Sequence, residues 1–569
     1  MNSDIESAVH RGITAQGPEK FDGPEKPTND SIRGLETSAE TSLHKELKAR
    51  HISMIAIGGA LGTGLLVGTG QALAESGPGS LLIAFLFMGL IIFMIMAAIG
   101  EIAAWLPLSA GFAGYATRYC HPALGFALGW TYWFNYALAA PNQLTAVALV
   151  IQFWVPRETV NPGVFIAIFI VLIFSINYLG GIKFFGEFEF WLSSFKVIVI
   201  VGIILLSLVI ACGGGPSGEA TGFRYWRDPG AFAEVYTTGP LGKFLGFWSV
   251  MVNATFAYLG TELVGTTAAE AKNPRRSIPK AIRLTFYRIL FFYCLSIFLV
   301  GLIVPYNSEA LLFAANQSTP GANASPFVVA AKVAGIKVLP HIINACICIF
   351  VFSASNSDLY IGSRTLYGLA SDRAAPAIFK RTDRRGVPWV ALLACTSFAL
   401  LAFMNVSDDS RSVFKERIQA FDQLLGLLTW ISILITHIRF VRGRGAKGIS
   451  DSAMPYTAPQ GIWGSYAALV VCIIVALTKS YGVYIPQGKP FDYASFITGY
   501  IGIPVYLALL FGHMLTQKSK LVKIEDMDFF TGKDIVDRYE AEFLESEAAR
   551  EGRNSKWVKV YNRTLAWLF

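Results

Sequence analysis

Long apolar runs constrain the fold of this chain more than any other feature of its 569 residues. Residues 81–98, 164–176, 197–211 and 289–304 contain no charged side chain. With their flanks they reach the ~20 residues that a membrane-spanning helix needs. Charged residues make up 15% of the sequence, whereas soluble domains carry about 25%. The sequence therefore predicts an all-α integral membrane protein, because a helix satisfies its own backbone groups in lipid.

Twelve segments are predicted to span the membrane. A disordered cytosolic tail (1–45) precedes the twelve-helix domain (46–516), and a charged cytosolic tail (517–569) follows it. The predicted spans are 52–74, 80–105, 123–154, 163–182, 187–211, 243–268, 284–304, 338–369, 388–405, 417–440, 462–480 and 494–516.

The distribution of basic residues predicts the orientation. Lysines and arginines cluster after even-numbered spans, at 272–288, 373–385 and 439–447. Because basic loops stay on the cytosolic side, both termini are expected in the cytosol. Asn316 and Asn323 each begin an Asn-X-Ser motif in a loop that would lie outside, so both are candidate glycosylation sites.

Several function classes are disfavoured by the sequence. The net charge of +8 lies largely in loops, so it does not indicate nucleic-acid binding. Seven cysteines fall mostly inside apolar segments and are predicted to be free thiols, and the histidines are scattered, so no metal site or cofactor is expected. We find no nucleotide-binding loop or catalytic constellation. The expected function is therefore transport driven by a gradient, and not enzymatic catalysis.

Span 1 contains an unusual density of glycine, with six in the thirteen residues 58–70. Each glycine costs a helix roughly 1 kcal/mol relative to alanine. Close helix packing is one explanation, but a run this dense favours an unwound segment that lines a cavity. The following half-helix would begin near Gly62–Gly64 and present its positive end to a carboxylate. Carbonyls of residues 55–58 would face a cation such as an ammonium group.

Span 6 supplies a counterpart. Residues 259–263 (Leu-Gly-Thr-Glu-Leu) match residues 61–65 (Leu-Gly-Thr-Gly-Leu) at four of five positions. The match is short enough to arise by chance, yet paired glycine-interrupted spans indicate an inverted-repeat transporter with a site at the midplane. Phe256 and Tyr258 would close over a zwitterionic substrate, or else pack against helices or lipid. The polar stretch 353–358 in span 8 should face the bundle interior, with its last residue, Asp358, near enough to the cytosol to be solvated.

Two ionisable residues are candidate proton sites. Lys196 lies in span 5 before a long apolar run, although snorkelling to the interface is an alternative. Glu262 lies at the span 6 break, where it would titrate or cap the next half-helix. No aspartate lies near the span 1 break to balance sodium, which favours protons.

Six separate motifs, at 51–70, 100–107, 123–130, 186–191, 256–279 and 355–364, carry a family resemblance. Through them the chain resembles fungal amino-acid permeases of the amino acid–polyamine–organocation superfamily over nearly all of residues 43–520. The resemblance implies a LeuT-like 5+5 inverted repeat with discontinuous helices 1 and 6 and two extra helices. It also implies proton symport of amino acids at the plasma membrane.

The resemblance also implies roles for particular residues. Ala60, Gly62, Thr63 and Gly64 would hold the substrate carboxylate, while Phe256, Ala257, Tyr258, Leu259 and Gly260 would hold the amine and form an aromatic gate, and Lys196 and Glu262 would couple protons. Asn356 belongs to the polar stretch of span 8 and is predicted from that stretch either to line the substrate path or to hydrogen-bond to neighbouring helices.

Substrate class stays open at this point. Residues 140–145 and 256–259 are most similar to dicarboxylic amino-acid permeases, which carry glutamate and aspartate. However, Asn135 stands where that subgroup is expected to have lysine, so a neutral or broad substrate range is the alternative. An amino-acid sensor on the same fold is a further alternative, although the cytosolic tails are short for one. Tail lysines such as Lys20 and Lys45 would suit a ubiquitin ligase partner, or are simply solvated charge.

Overall fold

The structure is a computed structural model that describes residues 51, 54–55, 58–59, 62, 64–216, 218–266, 273–309, 311–312, 325–406, 419–485 and 491–551. Within these ranges every regular element is a helix, which confirms the predicted all-α class for this part of the chain. The predictions for the N-terminal tail, Asn316 and Asn323 lie outside the described residues.

The α-helices are numbered here in chain order. They are α1 (Thr69–Trp105), α2 (Gly111–Tyr119), α3 (Pro122–Ile151), α4 (Pro162–Leu179), α5 (Gly181–Ala211), α6 (Pro240–Tyr258), α7 (Leu263–Thr266), α8 (Pro274–Ile289), α9 (Leu295–Ile303), α10 (Pro326–Val333), α11 (Leu339–Ser371), α12 (Trp389–Ala399), α13 (Gln419–Ala446), α14 (Gly461–Thr478), α15 (Tyr493–Tyr500), α16 (Gly502–Gln517) and α17 (Lys533–Glu551). Five-residue π-helices lie at Gly64–Gly68, Trp226–Gly230 and Leu290–Cys294, and 3₁₀ helices at Ala377–Lys380, Leu400–Val406, Asp451–Ala453, Tyr481–Tyr484 and Ile524–Asp526.

Nine helical segments in the described part of the chain are long and apolar enough to cross a membrane. They are Thr69–Trp105, Pro122–Ile151, Pro162–Leu179, Lys183–Ala211, Pro274–Ile303, Leu339–Ser371, Ala420–Ala446, Gly461–Thr478 and Tyr493–Gln517. The shorter apolar helix Trp389–Met404 coincides with predicted span 9. The chain is therefore a multi-pass membrane protein.

Helix α1 joins the end of predicted span 1 to the whole of predicted span 2 across a sharp kink. Gly77, at the kink, has φ +79° and ψ 167°, and Pro78 follows it. A Cβ on Gly77 would lie 2.8 Å from the carbonyl oxygen of Ala231, so this corner needs glycine. The Gly79 N–H donates to that same oxygen at 2.7 Å. A loop that is distant in sequence therefore closes the corner.

The helices pack into one bundle whose outer surface is apolar. Helix α11 runs along α3, and α1 packs against α6, while α13 contacts both α3 and α14. Large hydrophobic side chains such as Val171, Trp463 and Leu515 are exposed on the outward helix faces. Such faces are expected to contact lipid, since a helix pairs its interior backbone groups within itself.

A C-terminal segment, residues 518–551, packs back onto one end of the bundle. Phe529 is fully buried, and its ring lies 5.2 Å from that of Tyr119 and 5.3 Å from that of Phe440. Arg118 donates to the carbonyl oxygens of Asp528 (2.7 Å) and Thr531 (2.8 Å). The segment that the sequence predicted as a charged tail is therefore attached to the helices, and its contacts extend to Glu540, which accepts a hydrogen bond from Arg275.

Candidate functional site

The glycine-rich part of predicted span 1 changes its backbone geometry at Gly62. Gly58 and Gly59 are helical, Gly62 is not, and a π-helix over Gly64–Gly68 leads into α1. π-Helical turns frequently occur at functional sites. Ala60 and Thr63 lie outside the described residues, so their predicted roles stay predictions.

Predicted span 6 is interrupted between α6 and α7. Leu259 leaves the helix with φ −57° and ψ 139°, and Gly260 has φ +97°, a conformation that favours glycine. The chain becomes helical again at Leu263. Residues 259–262 therefore present backbone groups that a continuous helix would use internally.

The two glycine-rich segments touch each other. A Cβ on Gly64 would lie only 2.6 Å from the Cα of Ala257. A Cβ on Gly59 would lie 2.5 Å from a methyl carbon of Leu263. Because real Cβ atoms do not approach backbone this closely, glycine at position 64 is what allows the two segments to meet.

A cavity lies beside this contact, with about 450 Å³ of empty space that is partly open to solvent. Its lining includes six residues that the sequence predicted to hold substrate: Gly62, Gly64, Phe256, Ala257, Leu259 and Gly260. Helix α3 adds Asn135, Tyr136, Ala139 and Gln143 to the wall. The structure thus brings residues from two separate interrupted segments to one small space.

Two other predicted substrate residues are placed elsewhere. The Tyr258 hydroxyl donates to the carbonyl oxygen of Phe85 at 2.8 Å, and its ring stacks on Tyr293 at 5.0 Å. The Asn356 side-chain oxygen accepts from Asn177 Nδ2 at 2.8 Å. Both side chains are buried between helices, and neither is part of the cavity wall in this structure.

Glu262 connects the span 6 interruption to α3. Its Oε1 accepts from the Tyr136 hydroxyl at 2.9 Å, and its Oε2 accepts from the Gly260 N–H at 3.1 Å. The side chain is almost fully buried. It therefore caps the turn at Gly260 and contacts a residue of the cavity wall.

Lys196 connects α5 to the segment that contains Gly58. Its side chain is 0% exposed, and Nζ donates to the Gly58 carbonyl oxygen at 2.6 Å. Snorkelling to the membrane surface, the alternative considered from sequence, is therefore wrong. A Cβ on Gly58 would meet Glu189 Oε1, so a carboxylate also lies against this residue. An ammonium group and a carboxylate thus flank the start of the interruption.

Comparisons with known proteins identify the family of the chain. A family model for amino acid permeases matches residues 51–525. The chain belongs to the amino acid permease family. The permease is 52% identical over 537 residues to the dicarboxylic amino acid permease of Saccharomyces cerevisiae, covering 93% of this chain and 87% of that protein.

Two further relatives differ in the substrates that their names state. The permease is 40% identical over 531 residues to the general amino-acid permease of Saccharomyces cerevisiae, covering 92% of this chain and 86% of the relative. It is 38% identical over 537 residues to the proline-specific permease of Emericella nidulans, covering 94% and 95%. The predicted resemblance to fungal amino-acid permeases is confirmed, and these relatives are transporters and not enzymes.

Two buried carboxylates of the permease, Glu189 and Asp422, were missed in the sequence, and a third, Asp358, was assigned the wrong surroundings. Glu189 lies two turns before Lys196 on α5, and its Oε1 accepts hydrogen bonds from Ser193 and Ser353. The i, i+7 spacing to Lys196 places both on one helix face and is a signal that the sequence contains. Asp358 and Asp422 both line the cavity.

The expectation that Asp358 is solvated near the cytosol is wrong. The residue is 6% exposed, because α11 continues to Ser371, more than three turns further. All seven cysteines of the permease are free thiols, as predicted. Within the described ranges no three His, Cys, Asp or Glu side chains are grouped to hold a metal ion.

Proposed function

We propose that the permease imports amino acids across the plasma membrane by proton symport, with both termini in the cytosol and with glutamate and aspartate among its substrates. The proposal includes twelve spans in a LeuT-like 5+5 inverted repeat whose helices 1 and 6 are discontinuous. The observation that supports it best is the cavity between the Gly62–Gly64 and Phe256–Gly260 segments.

The chemistry of this cavity suits the two charges that every amino acid shares. Backbone N–H groups near Gly64, at the start of a helical segment, would bind the α-carboxylate. Backbone carbonyls near the end of α6 would accept hydrogen bonds from the α-ammonium, since a helix C-terminus attracts cations. Backbone groups do not discriminate among side chains, so this part of the site would bind any α-amino acid.

Lys196 is the proposed proton-coupling residue. Its charged ammonium donates to the Gly58 carbonyl oxygen, and hydrogen bonds from a charged donor are roughly twice as strong as neutral ones. Loss of the proton would weaken the hold of α5 on the segment that lines the cavity. Proton release and movement of that segment would thereby be coupled, with Glu262 as a second proton-sensitive contact at Tyr136.

Two observations point to different substrate ranges. The 52% identity to a dicarboxylic amino acid permease supports acidic substrates. A neutral or broad range is supported by the described lining of the cavity, which contains Asp358 and Asp422 but no lysine or arginine. We favour acidic substrates and keep the broad range as the second candidate.

The test is uptake of labelled glutamate, glutamine, leucine and lysine at pH 5 and pH 7 by yeast that lacks its own amino-acid permeases. Glutamate uptake that is faster at pH 5 and is abolished by a protonophore supports the proposal. Uptake of leucine but not glutamate would reject the acidic substrate range. No uptake of any amino acid by permease at the cell surface would favour a sensor on the same fold.

A further inference from the structure

Two carboxylates from different helices face the cavity. Asp358, on α11, is 6% exposed and Asp422, on α13, is 2% exposed. Asp422 Oδ1 accepts from Asn135 Nδ2 at 2.7 Å. Asp358 Oδ2 is buried and has no hydrogen-bond partner among the described residues. The cavity wall therefore contains one satisfied carboxylate and one that needs a donor.

A buried carboxylate oxygen without a donor is costly, because it has lost its hydration and gained nothing in return. Two carboxylates that line the same small cavity also repel each other when both are charged. One proton held on the pair relieves both problems, since it removes one charge and supplies the missing O–H donor.

The surroundings of Asp358 are acidic overall. Asp422 on α13, Glu262 beside α7 and Glu189 on α5 contribute three carboxylates, and Lys196 on α5 contributes one ammonium group. That ammonium group already donates to the Gly58 carbonyl oxygen. The facing residues of α3 that line the cavity are uncharged. Lys479, which follows α14, faces Asp422 and adds a second ammonium group. The Asp358–Asp422 pair and its surroundings therefore contain four carboxylates against two ammonium groups, a balance that favours an added proton on Asp358.

We propose that Asp358 and Asp422 form the side-chain end of the substrate site, where they bind one proton together with the side-chain carboxylate of an acidic amino acid. This inference rests on the proposed uptake of acidic substrates. The interrupted helices would hold the α-carboxylate and the α-ammonium group. The side chain then extends toward α11 and α13, where an O–H···O⁻ hydrogen bond joins Asp358 to the substrate.

The proton balance of this step is simple. The pair takes one proton from the outside, and this positive charge cancels the negative charge that the acidic side chain brings, so proton and side chain together add no net charge to the site. The proton leaves for the cytosol with the substrate, and the pair takes another proton when the cavity faces outward again. Acidic substrates therefore require one proton more than neutral ones. No lysine is needed at position 135, and Asn135 instead holds Asp422 in place.

Glutamate and glutamine, which have nearly the same shape, provide the test. In the wild-type permease we expect glutamate uptake below saturation to fall with rising pH more steeply than glutamine uptake, by up to about tenfold per pH unit. In Asp358→Asn the amide donates permanently, so the additional slope for glutamate should disappear. The slope for glutamine should stay that of the wild type, and Asp358→Glu should keep the additional slope.

Rates are normalised to the amount of tagged permease at the cell surface. If Asp358→Asn does not reach the surface, Asp422→Asn is used instead, and it too should lose the additional slope for glutamate. Parallel slopes for glutamate and glutamine in the wild type would overturn the inference. An additional slope that persists in both variants, faster uptake of lysine than of glutamate, or equal loss of both substrates in Asp358→Asn at normal surface level would also overturn it. Absence of glutamate uptake at every pH would instead contradict the proposed substrate range.

Discussion

Gly64 is the residue at which the two interrupted segments come closest. In Gly64→Ala the new methyl group would lie 2.6 Å from the Cα of Ala257, and backbone cannot move aside as a side chain does. Overpacking of this kind costs about 1–3 kcal/mol, which corresponds to a loss of substrate affinity of roughly 5-fold to 150-fold if it falls on the binding state. The loss of substrate affinity is measured from uptake at several substrate concentrations.

Gly62→Ala is the matched control for this prediction. Its Cβ would lie 3.4 Å from Gln143 Nε2 and 3.6 Å from Ala354 Cβ, which are close to ordinary contacts. We expect a smaller effect on uptake than in Gly64→Ala, with both variants at the cell surface. Equal uptake by the two variants would contradict the close approach at Gly64.

Lys196→Met tests the proton-coupling role. Methionine keeps an unbranched side chain but removes the charge and the donor to the Gly58 carbonyl oxygen. We expect slow uptake whose rate no longer differs between pH 5 and pH 7. Lys243→Met is the control, because Lys243 is a half-exposed lysine outside the bundle interior. Wild-type pH dependence in Lys196→Met would exclude the proton role.

Residue roles differed in how far the sequence could predict them. Gly62, Gly64 and Lys196 are conspicuous because glycine in a span and lysine before an apolar run both violate the local pattern. Asp422 is not conspicuous, since it lies in the first turn of α13, where an acidic residue is ordinary. Its role depends on the orientation of α13 relative to α3, which is set by tertiary packing.

At the scale of elements, nine of the twelve predicted spans coincide with helical segments of the described residues that the structure shows to be long and apolar enough to cross a membrane. The observed helix bounds differ from the predicted spans where backbone geometry is set by a distant segment. At Gly77, for example, a loop donates and accepts hydrogen bonds at the corner between predicted spans 1 and 2. The attachment of the C-terminal segment had no local signal. Its partners, such as Arg118 and Phe440, are far away in sequence.

The C-terminal segment should detach when its buried anchor is removed. Phe529 is 0% exposed between Tyr119 and Phe440, and removing a buried Phe side chain typically costs about 3–5 kcal/mol. We expect Phe529→Ala to accelerate hydrogen exchange and proteolysis across residues 520–545 of the purified permease. Phe530→Ala is the matched neighbour, since Phe530 is 57% exposed, and it should change neither measurement. Equal effects of both variants would show that burial of Phe529 does not hold the segment.

Acid should release the same segment. Burial raises the pKa of Asp528, but hydrogen bonds from Thr531 and the Arg118 charge outweigh burial, so the pKa lies below its usual value. Because the pKa of Asp528 is lower in the attached state than in the free state, its ionised carboxylate stabilises attachment at pH values above the free pKa of about 3.9. This contribution is lost as pH falls through the lower pKa of the attached state. Hydrogen exchange in the segment should therefore rise only below about pH 4. A rise near pH 6 would identify a different titrating group.

At the scale of the whole molecule, the parts that the proposed mechanism needs lie on different helices and meet at one place. Lys196 on α5 binds the carbonyl of Gly58, and Glu262 beside α7 binds Tyr136 on α3. Both contacts border the cavity segments, so in the proposed mechanism a change of protonation at either one would act on the substrate site. Family membership by itself does not establish this proton coupling. It does not fix the substrate either, because relatives differ in the substrates that their names state.

The most direct test is transport by purified permease in liposomes with an imposed pH gradient. If the cavity between the interrupted segments couples amino acids to protons, labelled glutamate should accumulate above its external concentration when the outside is acidic. Accumulation should stop when the gradient is dissipated, and it should be absent in Lys196→Met. Equilibration of glutamate without accumulation, or equal accumulation with and without the pH gradient, would contradict proton-coupled transport through this site.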